Sequence, residues 1–448
     1  MKGTVILMIL SGFAATLVLP VPLLGQTDTI MSLDRVVKYG LEHHTSVRNM
    51  EQEIRYRQWR SDMERSSYLP EVRSSADYRN NPQLPVTILP GDAFGDPEGG
   101  PLEIQMGTRH AIRAGIDIRQ TIYDPVKIAR IREAEIREEL AANSLSGTRK
   151  DVALQVTRSY FRALYRKEVL EISTRQETIY SRLARIVKGS HENGLASRNQ
   201  MEDIRQRSDS RQWEREINEL QYRNSIRELK LAMEYPEEDS LIPGDTSLLD
   251  ILSEIRPLNR TFEYGELPGY KELQLELDLN GQRQKLLLGR YLPSLDAYGF
   301  VGAQYFDESF SPVGNDQRWF RQSYLGVTLR VPIFEGLGRN REKQSLLISQ
   351  DRLMQQQKQL GREIRRREKI LANRLEIAHR RSQMHREEFR WKEDQFRTQL
   401  ADFQNGIADY SSVLRAELEM QLTGEQYKNS LFGILTAILE YKQLVSVY

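Results

Sequence analysis

Few side chains in this sequence could do chemistry. There are six histidines and no cysteine, which excludes disulfides, thiolate metal sites and a lipidated N-terminal cysteine. His43 and His44 are adjacent near the start of a helix and could bind a metal, but exposed helix positions explain them far more simply. His379 and His385 are six residues apart, which puts them on different faces of a helix. The chain has no Gly-x-Ser-x-Gly, no His-Glu-x-x-His and no phosphate loop ending in lysine. Its carboxylates are spread along helical stretches beside Arg or Lys, so no paired general acid and base is visible. The expectation is no enzyme, no cofactor and no resident metal.

Composition narrows the remaining classes. The 448 residues carry 64 basic and 63 acidic side chains, and no block is basic enough for a nucleic-acid surface. A mean hydropathy of −0.58 excludes a helical membrane protein, apart from one apolar run over residues 5–19. Lys2 precedes that run, and Pro20, Pro22, Gly25 and Gln26 follow it. This order predicts a cleaved secretory signal over residues 1–26 rather than a membrane anchor, which needs about 20 uninterrupted apolar residues. The mature chain is expected to be exported.

The sequence then repeats itself. Tyr68-Leu69-Pro70 recurs as Tyr291-Leu292-Pro293, residues 116–124 (IDIRQTIYD) align with 327–335 (VTLRVPIFE), and Asn193-Gly194-Leu195-Ala196 aligns with Asn405-Gly406-Ile407-Ala408. The offsets are 223, 211 and 212; a Gly/Pro-rich loop around residues 81–107 lengthens the first copy. Each copy has a leading helix (residues 32–67 and 269–289) that stops at Tyr-Leu-Pro, because proline disfavours helix in the residue before it.

Alternating strands follow. Val72, Ser74, Ala76 and Tyr78 alternate with Arg73, Ser75, Asp77 and Arg79; Leu295, Ala297, Gly299 and Val301 alternate with Asp296, Tyr298, Phe300 and Gly302. Return strands put Ile112, Ala114, Ile116 and Ile118, or Leu325, Val327, Leu329 and Val331, on one face. Each copy therefore offers one β-hairpin. Two hairpins cannot close a barrel, and open edges are not tolerated in lipid, so membrane insertion would require an oligomer.

Long helices come next. Asp124-Pro125 reads as an N-cap with proline at the first helical position, opening about 65 uninterrupted residues, on the order of 100 Å. Residues 337–403 form the counterpart. Asn-Gly turns each chain end for end, and a second helix returns. Leu346, Leu353, Leu360, Ile364, Leu371 and Ala378, and on the return helix Val413, Ala416, Met420, Tyr427, Leu431, Ile434, Ile438 and Tyr441, form narrow apolar seams on polar helices. Pro236, Pro243, Pro257 and Pro268 punctuate a linker. The expected organisation is residues 27–234 as first repeat, 235–268 as linker and 269–448 as second repeat.

This grammar resembles the TolC-type outer-membrane efflux channels. Residues 403–416 (FQNGIADYSSVLRA) look like that family's second hairpin tip, and residues 331–336 (VPIFEG) like its strand-to-helix junction. The resemblance covers the chain from about residue 32 to the end. It implies a mixed α and β fold, in which a homotrimer builds a 12-stranded transmembrane β-barrel in outer-membrane lipid, four strands per subunit. A periplasmic α-helical barrel would continue it, with the linker in an equatorial collar. It also implies passive conduction of substrates from a periplasmic adaptor and inner-membrane transporter to the outside.

On the same resemblance, Gly194, Leu195 and Ala196, with Gly406, Ile407 and Ala408, match the adaptor-docking tips; alternatively each Asn-Gly merely closes a helical hairpin. Some relatives narrow the periplasmic end with aspartate rings at positions that align with Ser412 and Arg415, neither acidic here. The acid, tyrosine and arginine that bridge the closed state in such relatives are replaced by Gln200, Phe403 and Ala408. An acidic gate is therefore not carried over. The expected constriction consists of Asn199, Gln200, Asp409, Ser412 and Arg415, with Arg415 favouring anions. Alternatively Arg415 pairs with Asp409 or Glu419 on the outer surface. The competing function is a periplasmic coiled-coil adaptor or scaffold without membrane insertion, which the duplicated β-hairpins disfavour.

Overall fold

A computed structural model of the chain describes residues 29–89, 102–245, 247–254, 264–310, 312, 319–334 and 336–445. The expected signal segment and Pro257 of the linker lie outside the described residues. Strand β1 (Thr29–Met31) leads into α1 (Leu33–His43) and α2 (Thr45–Ser66), so the expected single leading helix is broken. The break is at His44, whose extended backbone (ψ 126°) starts α2 and whose Nδ1 accepts from Ser46 N at 3.2 Å. His43 stacks on Tyr39 at 4.0 Å, with Nδ1 3.0 Å from the Tyr39 carbonyl. The histidine pair is thus engaged in capping and stacking.

After Tyr68-Leu69-Pro70 comes β2 (Glu71–Asn80). The stretch expected as loop contains a short antiparallel hairpin, β3 (Val86–Leu89) with β4 (Leu102–Gln105), where Val86, Thr87, Ile88 and Ile104 favour extended backbone. Strand β5 (His110–Tyr123) then runs into α3 (Pro125–Glu192), a helix of 68 residues. Asp124 Oδ1 accepts from Val126 N at 2.9 Å, and Pro125 opens the helix without wasting a donor. Helix α4 (Arg198–Met233) returns and ends at Glu234, a non-glycine residue in left-handed backbone (φ 53°). Glu234 Oε2 accepts from Thr45 N and Oγ1 at 3.0 and 2.6 Å, tying the end of α4 to the start of α2.

Strand β6 (Leu241–Pro243) pairs in parallel with β1, followed by α5 (Leu248–Glu254) and α6 (Pro268–Gly289). The second hairpin is β7 (Ser294–Asp307) and β8 (Trp319–Arg330), followed by α7 (Gly338–Gln404), 67 residues long, and α8 (Tyr410–Val445).

The two hairpins share one antiparallel sheet in the order β2-β5-β7-β8. Strand β5 pairs with β7 from His110 opposite Asp307 to Thr121 opposite Asp296, with a register shift before Tyr123. Among the described residues, the outer edges of β2 and β8 pair with no strand of the sheet. The helices form one layer beyond the sheet. Near the sheet the neighbours run α2, α3, α6, α7; farther away they run α4, α3, α8, α7.

The largest core lies where these two rows meet. It joins Val36, Val156, Tyr160, Leu164, Met233, Leu248 and Leu435 from five elements. Two polar clamps fix it. Asp245 Oδ2 accepts from Tyr160 OH at 2.5 Å and Leu33 N at 3.1 Å. The nearly buried Glu168 accepts from Leu248 N at 2.8 Å and Lys428 Nζ at 2.6 Å.

Candidate functional site

Register sorts the sheet residues onto two unlike faces. One carries Val72, Ile116, Val301, Leu325, Val327 and Leu329, all exposed; Leu325 is 87% exposed. Opposite them stand Arg73, Ser75, Arg113, Asp117, Phe300, Gln304, Gln322 and Tyr324. On that polar face the Arg113 guanidinium lies 3.8 Å above the Phe300 ring and donates to Tyr324 OH at 3.1 Å. Phe300 can lie flat because Gly115 and Gly302 offer no Cβ beneath it. A broad exposed apolar sheet face is unusual for a soluble monomer and suits a surface facing lipid. Strands of 10–14 residues are long enough to span a bilayer when tilted. No described helix is long and apolar enough to do so.

At the far end of the molecule the two helical turns are built alike. Gly194 and Gly406 adopt φ 74° and 73°, left-handed backbone that glycine takes without strain. Leu195 N donates to Ser190 O and Ile407 N to Asp402 O, each at 2.8 Å, closing the preceding helix. Leu195 and Ile407 then project into solvent, 84% and 76% exposed. Ala196 and Ala408 follow, half-buried.

The residues expected to form a constriction have local partners. Gln200 forms a capping box with Ser197: Gln200 N donates to Ser197 Oγ at 3.2 Å, and Ser197 N donates to Gln200 Oε1 at 2.8 Å. Asp409 caps α8, accepting from Ser412 N at 3.0 Å and Ser411 Oγ at 2.6 Å, and these bonds hold its carboxyl below the usual range. Arg415 is exposed and, among the described residues, makes no ion pair; its Nε reaches only Ser411 O at 3.4 Å. Asn199 is exposed as well. Asp409, Ser412 and Arg415 are thus brought together on one helix start. No described hydrogen bond or ion pair joins them to Asn199 or Gln200.

Three features escaped the sequence reading. First, α7 carries a second stripe, Ile370, Ile377, Met384 and Trp391, every seventh residue and exposed. It lies one position ahead of Leu371 and Ala378, and that period was its signal. Second, α4 exposes Trp213, Ile217, Leu220 and Leu231. Third, Glu417 is completely buried, at a position of α8 where Tyr410, Val413, Met420 and Gly424 continue the heptad. An acid in that phase is the readable anomaly.

Residues 37–233 match the model of a family described as outer membrane efflux protein. No curated protein matches the chain by sequence. Among solved structures, CusC, studied for conformational changes accompanying folding and transmembrane channel formation, is 12% identical at a TM-score of 0.73. That match covers 94% of this chain and 93% of the other. The open-state MtrE outer membrane channel of Neisseria gonorrhoeae is 12% identical with a TM-score of 0.68, covering 92% and 88%. The outer membrane protein VceC of Vibrio cholerae is 11% identical with a TM-score of 0.67, covering 92% and 95%. These likenesses show a shared fold. The resemblance to outer-membrane efflux channels therefore holds in the family match over residues 37–233 and in fold alone along nearly the whole chain.

Proposed function

Because the family match and fold are those of outer-membrane efflux channels, we propose that three copies of this chain form one such channel. It would carry solutes passively outward from a periplasmic adaptor and inner-membrane pump, or from a type I secretion system. The observation that carries the assembly is a pair of matching open edges. The sheet ends in β2 on the first-repeat side and β8 on the other. The helix layer ends in α4 and α7 on the same two sides.

The apolar seams on those edges agree in height. Trp213 and Ile217 stand 19 and 23 residues from Gly194, while Trp391 and Met384 stand 15 and 22 from Gly406. Leu231 and Ile370 stand 37 and 36 from the same glycines. Near the sheet, exposed Trp59 and Met63 on α2 match exposed Ile348 on α7. One edge of a copy therefore fits the opposite edge of the next. Such head-to-tail contacts either close into a ring or continue indefinitely. Three four-stranded sheets closing into a barrel would leave no edge in lipid.

In that assembly residues 27–234 and 269–448 act as two repeats around a linker at 235–268, after removal of residues 1–26. The apolar sheet face meets outer-membrane lipid, and the helices extend through the periplasm. Gly194, Leu195, Ala196, Gly406, Ile407 and Ala408 dock the adaptor as small apolar knobs on rigid turns. Asn199, Gln200, Asp409, Ser412 and Arg415 line the narrow end. The matched proteins are channels, which is in keeping with a non-enzyme. The nearest test is mass in detergent. Extracted from outer-membrane fractions, the protein is expected to weigh three chains, and Trp391→Glu to reduce it to monomers. A freely soluble monomer would instead favour the periplasmic scaffold.

A further inference from the structure

The seam between the two helical hairpins of one chain contains a polar cluster, about three helical turns above the tips. Helix α8 contributes Glu417, Gln421 and Tyr410; α3 contributes Tyr180; α4 contributes Arg211, Arg207 and Asp203. Glu417 is 0% exposed. Its Oε1 accepts from Gln421 Nε2 at 2.6 Å, while Oε2 has no hydrogen-bond partner among the described residues. Tyr180 is equally buried, with the Arg211 guanidinium 5.3 Å over its ring. Arg211 is itself paired with Glu214 at 2.5 Å, and Arg207 with Asp203 at 2.9 Å. The Tyr410 hydroxyl is also buried without a hydrogen-bond partner among the described residues. Apolar packing from Leu183, Val187, Ile204 and Leu414 surrounds the group. On the α7 side of α8, Lys392 pairs with Glu419.

We infer that Glu417, with Tyr180, Arg211 and Gln421, is a proton-operated latch between the two helical hairpins, shut when the carboxyl is protonated and weakened when it ionises. The inference rests on the channel reading, in which parting these hairpins widens the periplasmic end. It also supplies an inter-hairpin tie in a chain whose Gln200, Phe403 and Ala408 cannot make the bridges of some relatives. The chemistry is that of a buried acid. Burial pushes the Glu417 carboxyl up to about 7, against the smaller opposing pull of Arg211, Gln421 and Tyr180. A protonated carboxyl sits in the packed seam without a desolvated charge. An ionised one leaves a charge with an unpartnered oxygen, and is better served by water once the hairpins part.

The sign follows from linkage. The packed seam holds a proton that the parted seam releases, so packing is favoured at low pH. That preference falls as pH rises from the ordinary carboxylate range toward 7, and is constant above it. The test is planar-bilayer recording of the full-length wild type, Glu417→Gln and Glu417→Met, each first confirmed as a trimer in detergent. Two near-isosteric variants guard against one failing to assemble. In wild type the open-to-closed ratio is expected to rise about tenfold per pH unit per latch between pH 5 and 7, then level off. Both variants are expected to lose that dependence and remain as closed as wild type at low pH. A conducting wild type whose pH response survives in both variants would overturn the latch and leave the channel reading intact. A wild type that conducts at no pH would overturn both.

Discussion

Arg415 sits one turn inside α8, exposed, beside an Asp409 whose two oxygens are occupied by Ser411 and Ser412. The aspartate is committed to capping, and the arginine makes no ion pair among the described residues. Three such guanidinium groups near a narrow end would favour anions. Arg415→Ser is expected to move the reversal potential in a salt gradient toward cation preference; unchanged selectivity would place Arg415 on the outer wall. Asp409, Ser412 and Arg415 do share the start of one helix, but their spacing could not assign their work. A side chain that caps a helix and one that lines a pore need the same polarity, and spacing alone does not separate them. Glu417 was harder still, since its burial depends on Tyr180 and Arg211, more than 200 positions away.

At the scale of elements, the most legible parts were those with a single period. Asp124-Pro125, the alternating strands and the Asn-Gly turns each specify local backbone, and each lies where its pattern indicated. The break at His44 was hidden because its partner, Glu234, comes from the end of another helix. The β3–β4 hairpin was obscured by the Gly/Pro-rich residues between its strands. The sheet also depends on glycines that pattern alone does not explain. A Cβ at Gly302 would meet the Phe300 ring and the Gly115 Cα at 2.6 and 2.7 Å. Gly302→Val is expected to cost about 1–3 kcal/mol through overpacking and to lower the yield of assembled protein in outer-membrane fractions. Gly281→Ala, with nothing within 4 Å, should leave the yield unchanged.

For the whole molecule, the near-balance of 64 basic and 63 acidic residues fits a protein wet on most of its surface. Only one face of four strands is predominantly apolar, and the helices keep their apolar residues to seams. Several seam positions read from sequence are buried within the chain, as Leu353, Leu371, Val413 and Leu431 illustrate, and Leu431 joins the core shared by both hairpins. The Trp213 and Trp391 seams are exposed in the isolated chain. Their legibility was limited because a narrow second stripe on a polar helix looks like scattered surface residues until its period is counted. Conductance tests the channel claim most directly. Purified wild-type protein added to a planar lipid bilayer is expected to produce discrete, long-lived current steps of uniform size from trimers. A trimer-free preparation that binds no bilayer and passes no current would contradict the account.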